Sequence, residues 1–454
     1  MNERTEDLAA RDKQHLWHPF TQMKDWVADQ PLIIERGAGA RLYDTEGNEY
    51  LDGVSSLWCN LHGHRRPEID DAIRDQLGRI AHTTMLGLSA PPAIELAERL
   101  VALAPRRLTK VFYSDSGSEA MEIALKIAFQ SWRQREAGGR RTKFVALDFA
   151  YHGDTIGAVS LGGIPLFHGV YGPLLFETLR APAPYCYRCS LGLEPATCSM
   201  ACLARMEDVL RDHTEEVTAV VMEPLVQGAG GMIVHPRGYL RGVRELCDKY
   251  GVLLICDEVA VGFGRTGRLF ACEHEGVVPD IMAVAKGLTG GYLPLAATLV
   301  SDEVYSAFLG EHEAFRTFFH GHTYTGNALC CAAALASLGI FETERTLERI
   351  QPRIAQLTQR LERFKELDHV GDVRQCGLIA GLELVRDRAT KAEYEPAEKI
   401  GIHVTTAARR RGLITRPLGN VLVIMPPLCI REDELDRLLD ILFDAIREVT
   451  EVAR

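Results

Sequence analysis

Short apolar runs alternate with amphipathic stretches from about residue 95 to residue 300, and this alternation limits the folds open to the chain. The amphipathic stretches SEAMEIALKIAFQSW and YLRGVRELCDKYG predict helices. The apolar runs predict strands and read KVFYSDSG, KFVALDF, AVVMEPL, VLLICDEV, DIMAVAKG and AATLVS. Strands that alternate with helices are typical of an α/β domain with a mostly parallel central sheet.

The two ends of the chain predict a second, smaller α+β unit. Near the N-terminus, ARLYDTEGNEYLDG has the pattern of a β-hairpin. From about residue 345 onward, long charged helices surround the apolar runs GLIAGLELV and VLVIMPPL. We therefore predict a large domain at residues 66–340 and a small domain built from residues 1–65 and 341–454.

Charge and the length of the apolar runs disfavour two classes of partner. The net charge is −11 at pH 7, which repels nucleic acids and anionic membranes. Runs such as VLLIC and IMAVA are much shorter than the ~20 residues that span a bilayer. The N-terminal MNERTEDLAARDKQ lacks the pattern of a secretory signal, so we expect a cytoplasmic protein.

Several functional groups follow predicted strands, at the sheet edge where α/β proteins bind ligands. Ser116 and Gly117 lie between a strand and a helix, where free backbone N–H groups attract an anion; an ordinary serine N-cap has the same pattern. Asp257 ends another strand and can keep a ring nitrogen protonated. Lys286 ends a third strand and is followed by glycines. A desolvated lysine forms an imine with an aldehyde, whereas a buried ion pair is the structural alternative.

An anion site, an acid for a ring nitrogen and an imine-forming lysine are together what pyridoxal 5'-phosphate requires. Tyr151, in DFAYHGDTIGAVS, follows a further strand, where its ring can stack on the pyridine and Asp154 can orient its neighbours. A place in the core or at a rim is the alternative for Tyr151. We predict Lys286, Asp257 and Tyr151 as catalytic residues of a pyridoxal-phosphate enzyme.

The stretch FFHGHTYTGN contributes a second set of polar groups, Gly321, His322 and Thr323. A hydroxyl and backbone amides suit a phosphate. His320 and His322 form a His-x-His pair without a third ligand or a nearby acid in the sequence, so we predict no metal at the active site.

A G-x-G-x-x-G match at Gly262, Gly264 and Gly267 raises the alternative of a dinucleotide-binding oxidoreductase. That site requires a helix directly after the glycines. The following RLFACEHEGVVPD is irregular and contains a proline, so the sequence disfavours this reading.

The stretch LLICDEVAVGFGRTGRLFACEHEGVVPDIMAVAKGLTGGYLPLAA resembles the signature of class III aminotransferases, which are pyridoxal-phosphate enzymes of fold type I. The motifs HLWHPFTQMKDW, DGVSSLWCNLHGH, YHGDT, HGHTYTGN and RPLGNVLVIMPPL are similar to the branch of that family in biotin biosynthesis. The resemblance extends from about residue 14 to the C-terminus. It implies a ping-pong transamination of 8-amino-7-oxononanoate to 7,8-diaminononanoate. An ω-aminotransferase acting on ornithine, 4-aminobutyrate or a diamine is the alternative.

The resemblance also implies roles for single residues around the cofactor. Lys286 would hold the cofactor and move the proton, and Asp257 would pair with the pyridine nitrogen. Ser116 and Gly117 would bind the phosphate. Thr323, beside His322, would reach that phosphate from the partner subunit of a homodimer.

In the substrate pocket, the resemblance implies a lining of Phe20, Trp58 and Gly321. Arg416 would bind the carboxylate of the oxononanoate through its guanidinium fork. A solvent-facing arginine after a strand is the alternative for Arg416.

Four positions differ from the branch of the family that uses S-adenosylmethionine as amino donor. Where that branch has a tyrosine and a tryptophan, this chain has Phe20 and Leu57. Where that branch has a proline and an aromatic residue, this chain has His322 and Leu418. Three of these changes remove an aromatic ring or a hydroxyl from the expected donor pocket. They favour L-lysine as the donor, because a sulfonium donor with an adenine ring needs surfaces for stacking.

Four of the twelve cysteines form a C-x2-C-x8-C-x3-C array at Cys186, Cys189, Cys198 and Cys202. Four thiolates at such spacing can hold zinc or an iron–sulfur cluster. Reduced thiols in a surface insertion are the alternative. The array has no counterpart in the family's pattern, and we expect no catalytic role for it.

Overall fold

The computed structural model describes residues 2–135 and 139–451. The strands of this part of the chain are β1 (Ile34–Ala38), β2 (Arg41–Asp44), β3 (Glu49–Asp52), β4 (Leu108–Ser114), β5 (Lys143–Leu147), β6 (Thr178–Ala181), β7 (Val217–Met222), β8 (Val226–Gln227), β9 (Ile233–Val234), β10 (Leu253–Asp257), β11 (Ile281–Val284), β12 (Ala296–Ser301), β13 (Val370–Cys376), β14 (Ile379–Leu384), β15 (Leu413–Ile414), β16 (Pro417–Leu418) and β17 (Val421–Ile424).

The α-helices of the same residues range from single turns to helices of 19 residues. They are α1 (Glu3–His15), α2 (Met23–Ala28), α3 (Ser55–Trp58), α4 (Pro67–Leu77), α5 (Pro91–Leu103), α6 (Gly117–Arg135), α7 (Ile156–Leu161), α8 (Pro165–His168), α9 (Ala201–Asp212), α10 (Tyr239–Tyr250), α11 (Asp302–Ser306), α12 (Ala328–Thr343), α13 (Thr346–Arg349), α14 (Gln351–Leu361), α15 (Ile400–Arg410) and α16 (Glu432–Thr450). None of these helices is long and apolar enough to span a membrane.

A seven-stranded sheet forms the centre of the protein, in the order β4-β12-β11-β10-β7-β5-β6. β10 pairs in parallel with β11 and β7, and β5 pairs in parallel with β7 and β6. β12 runs antiparallel to both of its neighbours. Every residue of β7, β10, β11 and β12 is buried, which is the burial expected of strands covered on both faces. The prediction of a mostly parallel central sheet is confirmed.

Both ends of the chain contribute to the smaller sheets. β1, β2 and β3 form an antiparallel meander that contains the predicted hairpin, and β15 pairs in parallel with β3 through Leu413 and Leu51. A second sheet has the order β13-β14-β17-β16. The predicted α+β unit built from both ends is thus confirmed. The exact domain limits stay a prediction, and α12 continues past the proposed limit at residue 340 to Thr343.

Arg265 connects the large sheet region to both chain ends. Its fully buried guanidinium donates to the carbonyl of Pro426 at 2.6 Å and to that of Asn60 at 3.0 Å. Burial lowers the pKa of Arg265 to about 10, so the group stays charged at neutral pH. Charged donors make strong hydrogen bonds when buried, so these two join the segment after β10 to both ends of the chain.

Candidate active site

A cavity of about 800 Å³ lies where several strands of the large sheet end. Its walls come from the residues that follow β4, β5, β7 and β11 and from the last residue of β10. The carboxyl edge of a parallel sheet is the usual ligand-binding edge of such folds. The cavity contains the predicted residues Ser116, Gly117, Tyr151, Asp257 and Lys286, together with Trp58.

Asp257 is buried, and two hydrogen bonds fix its carboxylate. The Nδ1–H of His152 donates to Oδ2 at 2.7 Å, and the backbone N–H of Val259 donates to Oδ1 at 3.0 Å. His152 is buried as well, so bulk water does not screen the pair. The carboxylate is therefore held in one orientation at the cavity wall. The sequence does not indicate this contact, because His152 and Asp257 are 105 residues apart along the chain.

Lys286 begins a 3₁₀ turn directly after β11. Its φ of 43° is in the left-handed region, which a residue with a Cβ seldom adopts outside functional sites. Nζ makes no hydrogen bond or ion pair with the described residues and lies 5.5 Å from the ring centroid of Trp58. Burial lowers the pKa of Lys286, while Asp257 and Glu223 oppose that shift. Lys286 is therefore a more available nucleophile than an exposed lysine.

The N-terminus of α6 faces the cavity. The backbone N–H groups of Gly117 and Ser118 donate to no other described residue, whereas Glu119 accepts the N–H of Ser116 at 2.9 Å. A Cβ on Gly117 would lie 2.6 Å from a methyl carbon of Val259, so only glycine fits at this position. Free N–H groups at the start of a 19-residue helix form an anion site.

Three buried polar atoms of the cavity wall have no partner among the described residues: Nε1 of Trp58, Nε2 of His152 and Oε2 of Glu223. Buried polar groups are nearly always paired, so these atoms indicate that a polar ligand belongs here. The free helix N-terminus, the fixed carboxylate and the available amine match the phosphate, ring nitrogen and aldehyde of pyridoxal phosphate. The residues present fit this cofactor.

Glu223 is a site residue that sequence analysis missed. Burial first, and then the charge of Asp257, raise the pKa of Glu223 to about 8. Its carboxyl group therefore keeps a proton to higher pH than an exposed glutamate, and the unpaired Oε2 can then donate a hydrogen bond into the cavity. The sequence does contain an indication of this role, which is an acidic residue at the end of a buried strand. Glu223 directly follows β7, just as Asp257 ends β10.

Tyr151 begins a row of aromatic rings that leads out of the cavity. Its hydroxyl donates to Asp154 at 2.7 Å, and burial and this contact raise the pKa of the phenol. The ring of Phe167 lies 6.4 Å from that of Tyr151, and the ring of Phe20 lies 5.4 Å from that of Phe167. We call Tyr151, Phe167 and Phe20 the aromatic row. Phe20 does not line the cavity itself and is 59% exposed.

Arg416 lies between β15 and β16 and is half-buried. Burial lowers the pKa of Arg416, and the nearby Tyr151 opposes that shift. Its side chain makes no hydrogen bond or ion pair with the described residues. Arg416 is thus a free guanidinium near the aromatic row, although it does not line the cavity.

Gly321, His322 and Thr323 lie outside the cavity of their own chain. The Nε2–H of His82 donates to the carbonyl of Thr323 at 2.8 Å, and Nδ1 of His322 lies 4.0 Å from Oε1 of Glu119. The fold brings Asp115 to the same place, within 4.8 Å of those side-chain atoms. Acids that are distant in the sequence are therefore close to His322. The segment is largely exposed and lies beside the start of α6. The roles predicted for its three residues stay predictions.

Trp58 reaches the cavity from a strained segment. Ser55, Ser56, Leu57 and Trp58 have consecutive φ values of 50°, 57°, 136° and 66°. Left-handed backbone costs energy for residues with a Cβ, so surrounding contacts must impose this conformation. One such contact is the hydroxyl of Ser55, which donates to the carbonyl of Met425 at 2.7 Å.

Comparison of the sequence with known proteins places it among transaminases. A family model described as aminotransferase class-III matches residues 23–446. An adenosylmethionine-8-amino-7-oxononanoate aminotransferase of Nitratidesulfovibrio vulgaris is 62% identical over 449 residues, which are 99% of this chain and 83% of the relative. The protein of the same name from Geobacter sulfurreducens is 55% identical over 447 residues, 98% of each chain.

Solved structures agree with the sequence comparison. The crystal structure of adenosylmethionine-8-amino-7-oxononanoate aminotransferase from Methanocaldococcus jannaschii matches with a TM-score of 0.93 at 48% identity, covering 98% of this chain and 99% of that one. An (S)-enantioselective omega-transaminase from Thermomicrobium roseum matches with a TM-score of 0.93 at 40% identity and the same coverage. The predicted fold type I is confirmed. The chain belongs to the class III aminotransferases and is a pyridoxal-phosphate-dependent enzyme.

Proposed function

We propose that the protein transfers an amino group to 8-amino-7-oxononanoate and so forms 7,8-diaminononanoate in biotin biosynthesis. The observation that carries this proposal is the free, half-buried guanidinium of Arg416 beside the aromatic row. A long substrate with a terminal carboxylate needs a cation at a distance from the reacting amine. The names of relatives that are 35–62% identical support the same substrate.

Different residues of the chain have separate roles in the reaction. When bound, pyridoxal phosphate supplies an aldehyde that condenses with amines and a ring that withdraws electrons from the attached carbon. Asp257 would hold a proton on the ring nitrogen, and His152 keeps that carboxylate in place through the 2.7 Å hydrogen bond. Gly117 and Ser118 would bind the phosphate with their free N–H groups.

Lys286 serves as the acid and base of the amino transfer. Its Nζ would accept a proton from the carbon that bears the donor's amino group. In the second half of the reaction, Nζ would give a proton to the acceptor carbon that receives the amino group. This exchange requires an amine that is neutral for part of the cycle, which the lowered pKa allows. The buried walls around Trp58 and His152 exclude water from the proton transfer.

We propose S-adenosylmethionine as the amino donor. The aromatic row supplies a surface on which an adenine ring can stack, and Phe167 belongs to a segment that sequence analysis did not include in the pocket. The names of the relatives support the same donor. L-lysine, which the substitutions at Leu57 and Leu418 favour, is the competing donor.

The test of this function is product formation from single donors. Holoenzyme would be incubated with 8-amino-7-oxononanoate and either S-adenosylmethionine or L-lysine, and 7,8-diaminononanoate would be measured by mass spectrometry. We expect product with S-adenosylmethionine. Product with lysine alone would overturn the donor assignment only. If neither donor reacts but ornithine, 4-aminobutyrate or a diamine does, the protein is an ω-aminotransferase and the proposed substrate is wrong.

Replacing Arg416 tests the carboxylate contact. We expect Arg416→Ala to raise the KM for 8-amino-7-oxononanoate about 10- to 100-fold, because a hydrogen bond to a charged group is worth about 1.5–3 kcal/mol. The half-reaction with the donor alone should keep its rate. Arg409→Ala, at an exposed position of α15, is the matched control. An unchanged KM in Arg416→Ala would show that this guanidinium does not bind the substrate.

We further propose a homodimer in which Thr323 faces the partner's active site. Phe319, Tyr324 and Leu86 are exposed by 74%, 57% and 89%, and the ring contact of His82 with Tyr324 brings their segments together. An apolar patch of this kind is typical of a protein–protein interface. Sedimentation equilibrium should give twice the chain mass of 50.4 kDa. A species of one chain mass at micromolar concentration would contradict the dimer.

A further inference from the structure

The segment between β6 and α9 is long and has no regular structure. Residues 182–200 contain no helix or strand, and loops beyond about 12–15 residues are uncommon unless they have a function. The segment carries three of the four cysteines of the array, and Cys202 follows in the first turn of α9. None of the four lines the cavity of Lys286, so the proposed function does not use them.

The first half of this loop is fastened to the small domain. Arg188 and Tyr185 both bind Glu383 of β14, and Arg188 also donates to the carbonyl of Lys391 at 3.0 Å. Lys391 in turn donates to the carbonyl of Tyr187 at 2.9 Å. These contacts hold Cys186 and Cys189 in place.

The second half has no comparable attachment. The hydrogen bonds of residues 190–200 go only to residues 189–204 within the described chain, and residues 192–197 are exposed. Exposed loops with only local hydrogen bonds are expected to be easily displaced. Another interaction is therefore needed to connect Cys198 to the fastened half.

All four cysteines line one cavity of about 400 Å³. They are half-buried and form no disulfide, and much of the remaining wall is apolar, including Leu191, Leu193, Pro195 and Met200. Two consecutive left-handed residues, Ser199 and Met200, lead the chain into α9. There the backbone N–H of Leu203 donates to the carbonyl of Met200 at 2.8 Å, at the start of the helix that carries Cys202.

The sulfurs are spaced more widely in this structure than a single zinc ion requires. A tetrahedral zinc site has sulfurs about 2.3 Å from the metal and therefore about 3.8 Å from one another. No three of the four Sγ atoms lie within 4.8 Å of one another, although all four belong to the described part of the chain. A [4Fe–4S] cluster places one thiolate on each of four irons at the corners of a cube, which needs a wider arrangement and a cavity between the sulfurs.

We propose that Cys186, Cys189, Cys198 and Cys202 bind a [4Fe–4S] cluster, which fastens the second half of the loop to the first. On binding, the four thiols release four protons and each sulfur donates an electron pair to one iron of a [4Fe–4S]²⁺ core. No electron is transferred. The role is structural, since the cluster lies outside the cavity of Lys286.

Metal analysis of the whole enzyme tests the proposal. Wild-type protein purified without oxygen, and then treated with equal amounts of ferrous and ferric iron and with sulfide, should contain about four irons and four acid-labile sulfides per chain. The double variant Cys189→Ser/Cys198→Ser should lose both. Cys376→Ser, which alters a half-buried thiol outside the array, is the matched control and should keep them. Metal content is preferable to colour as a readout, because bound pyridoxal phosphate also absorbs visible light.

Limited proteolysis provides a second readout. We expect cleavage within residues 190–200 to be at least tenfold faster in the double variant than in the wild type. One zinc per wild-type chain would overturn the cluster in favour of a single ion. Four free thiols and no bound metal after the treatment would overturn the metal centre altogether. If the double variant does not fold, the wild-type analysis still decides between these outcomes.

Discussion

Lys286→Ala is expected to lower the rate of amino transfer by about 10³- to 10⁴-fold, the upper part of the 10²- to 10⁴-fold range that a proton-transfer group typically contributes. Nζ of Lys286 is unpaired in the described structure and lies among Trp58, Asp257 and Glu223. No other described lysine lines the cavity. The variant should therefore lose both the attachment of the cofactor and the group that moves the proton.

The measurement is the rate of 7,8-diaminononanoate formation at saturating pyridoxal phosphate. Alanine has a Cβ, as lysine has, so the left-handed backbone at this position is equally strained in both proteins and the fold should remain. Circular dichroism would confirm this. Lys249→Ala, which removes an exposed lysine paired with Glu207, serves as the control. Activity of Lys286→Ala within tenfold of the wild type would refute the proposed role.

Asp257→Asn should produce the second largest loss, about 10³-fold in kcat, because this buried and fixed carboxylate is the group proposed to hold a proton on the ring nitrogen. An amide has nearly the same shape but no charge. It also changes the hydrogen bond with Nδ1 of His152, which is 2.7 Å long in the native protein. Binding of the phosphate at Gly117 should be little affected.

Glu258→Gln is the matched control for Asp257→Asn. Glu258 is the next residue and is equally buried, but its carboxyl accepts the N–H groups of Ala271 and Cys272, away from the cavity. Burial raises the pKa of Glu258 to about 7, so a neutral amide replaces a group that is already partly neutral. We expect kcat within a few-fold of the wild type. Equal losses in both variants would mean that charge at Asp257 has no special role.

Much of the large domain could be predicted from local patterns. Buried strands of β-branched and apolar residues, each followed by a polar residue, correctly indicated β10, β11 and the sheet edge at which Asp257 and Lys286 meet. Such prediction works because parallel strands end at a common edge, so residues distant in sequence become neighbours. The helix predicted for SEAMEIALKIAFQSW was likewise confirmed as α6, in which Met121, Leu125 and Ala128 are buried.

Other features of the site cannot be predicted from the local sequence. Phe167 lies in the single-turn helix α8 and enters the aromatic row only through the path of the chain. The left-handed conformation of Ser55 and its neighbours is imposed by distant contacts, such as the one with Met425, and their residue types do not predict it. The proximity of Asp115 and Glu119 to His322 depends on tertiary packing as well.

The pairing of β3 with β15 has a consequence for synthesis of the protein. Leu51 and Leu413 are about 360 residues apart, so β3 lacks this neighbour until nearly the whole chain has left the ribosome. At about 5–20 residues per second, this leaves the edge of the nascent sheet unpaired for tens of seconds. An unpaired edge is a template for association with other chains. Ribosome-bound chains that end before residue 413 should therefore be the form of this protein most dependent on chaperones.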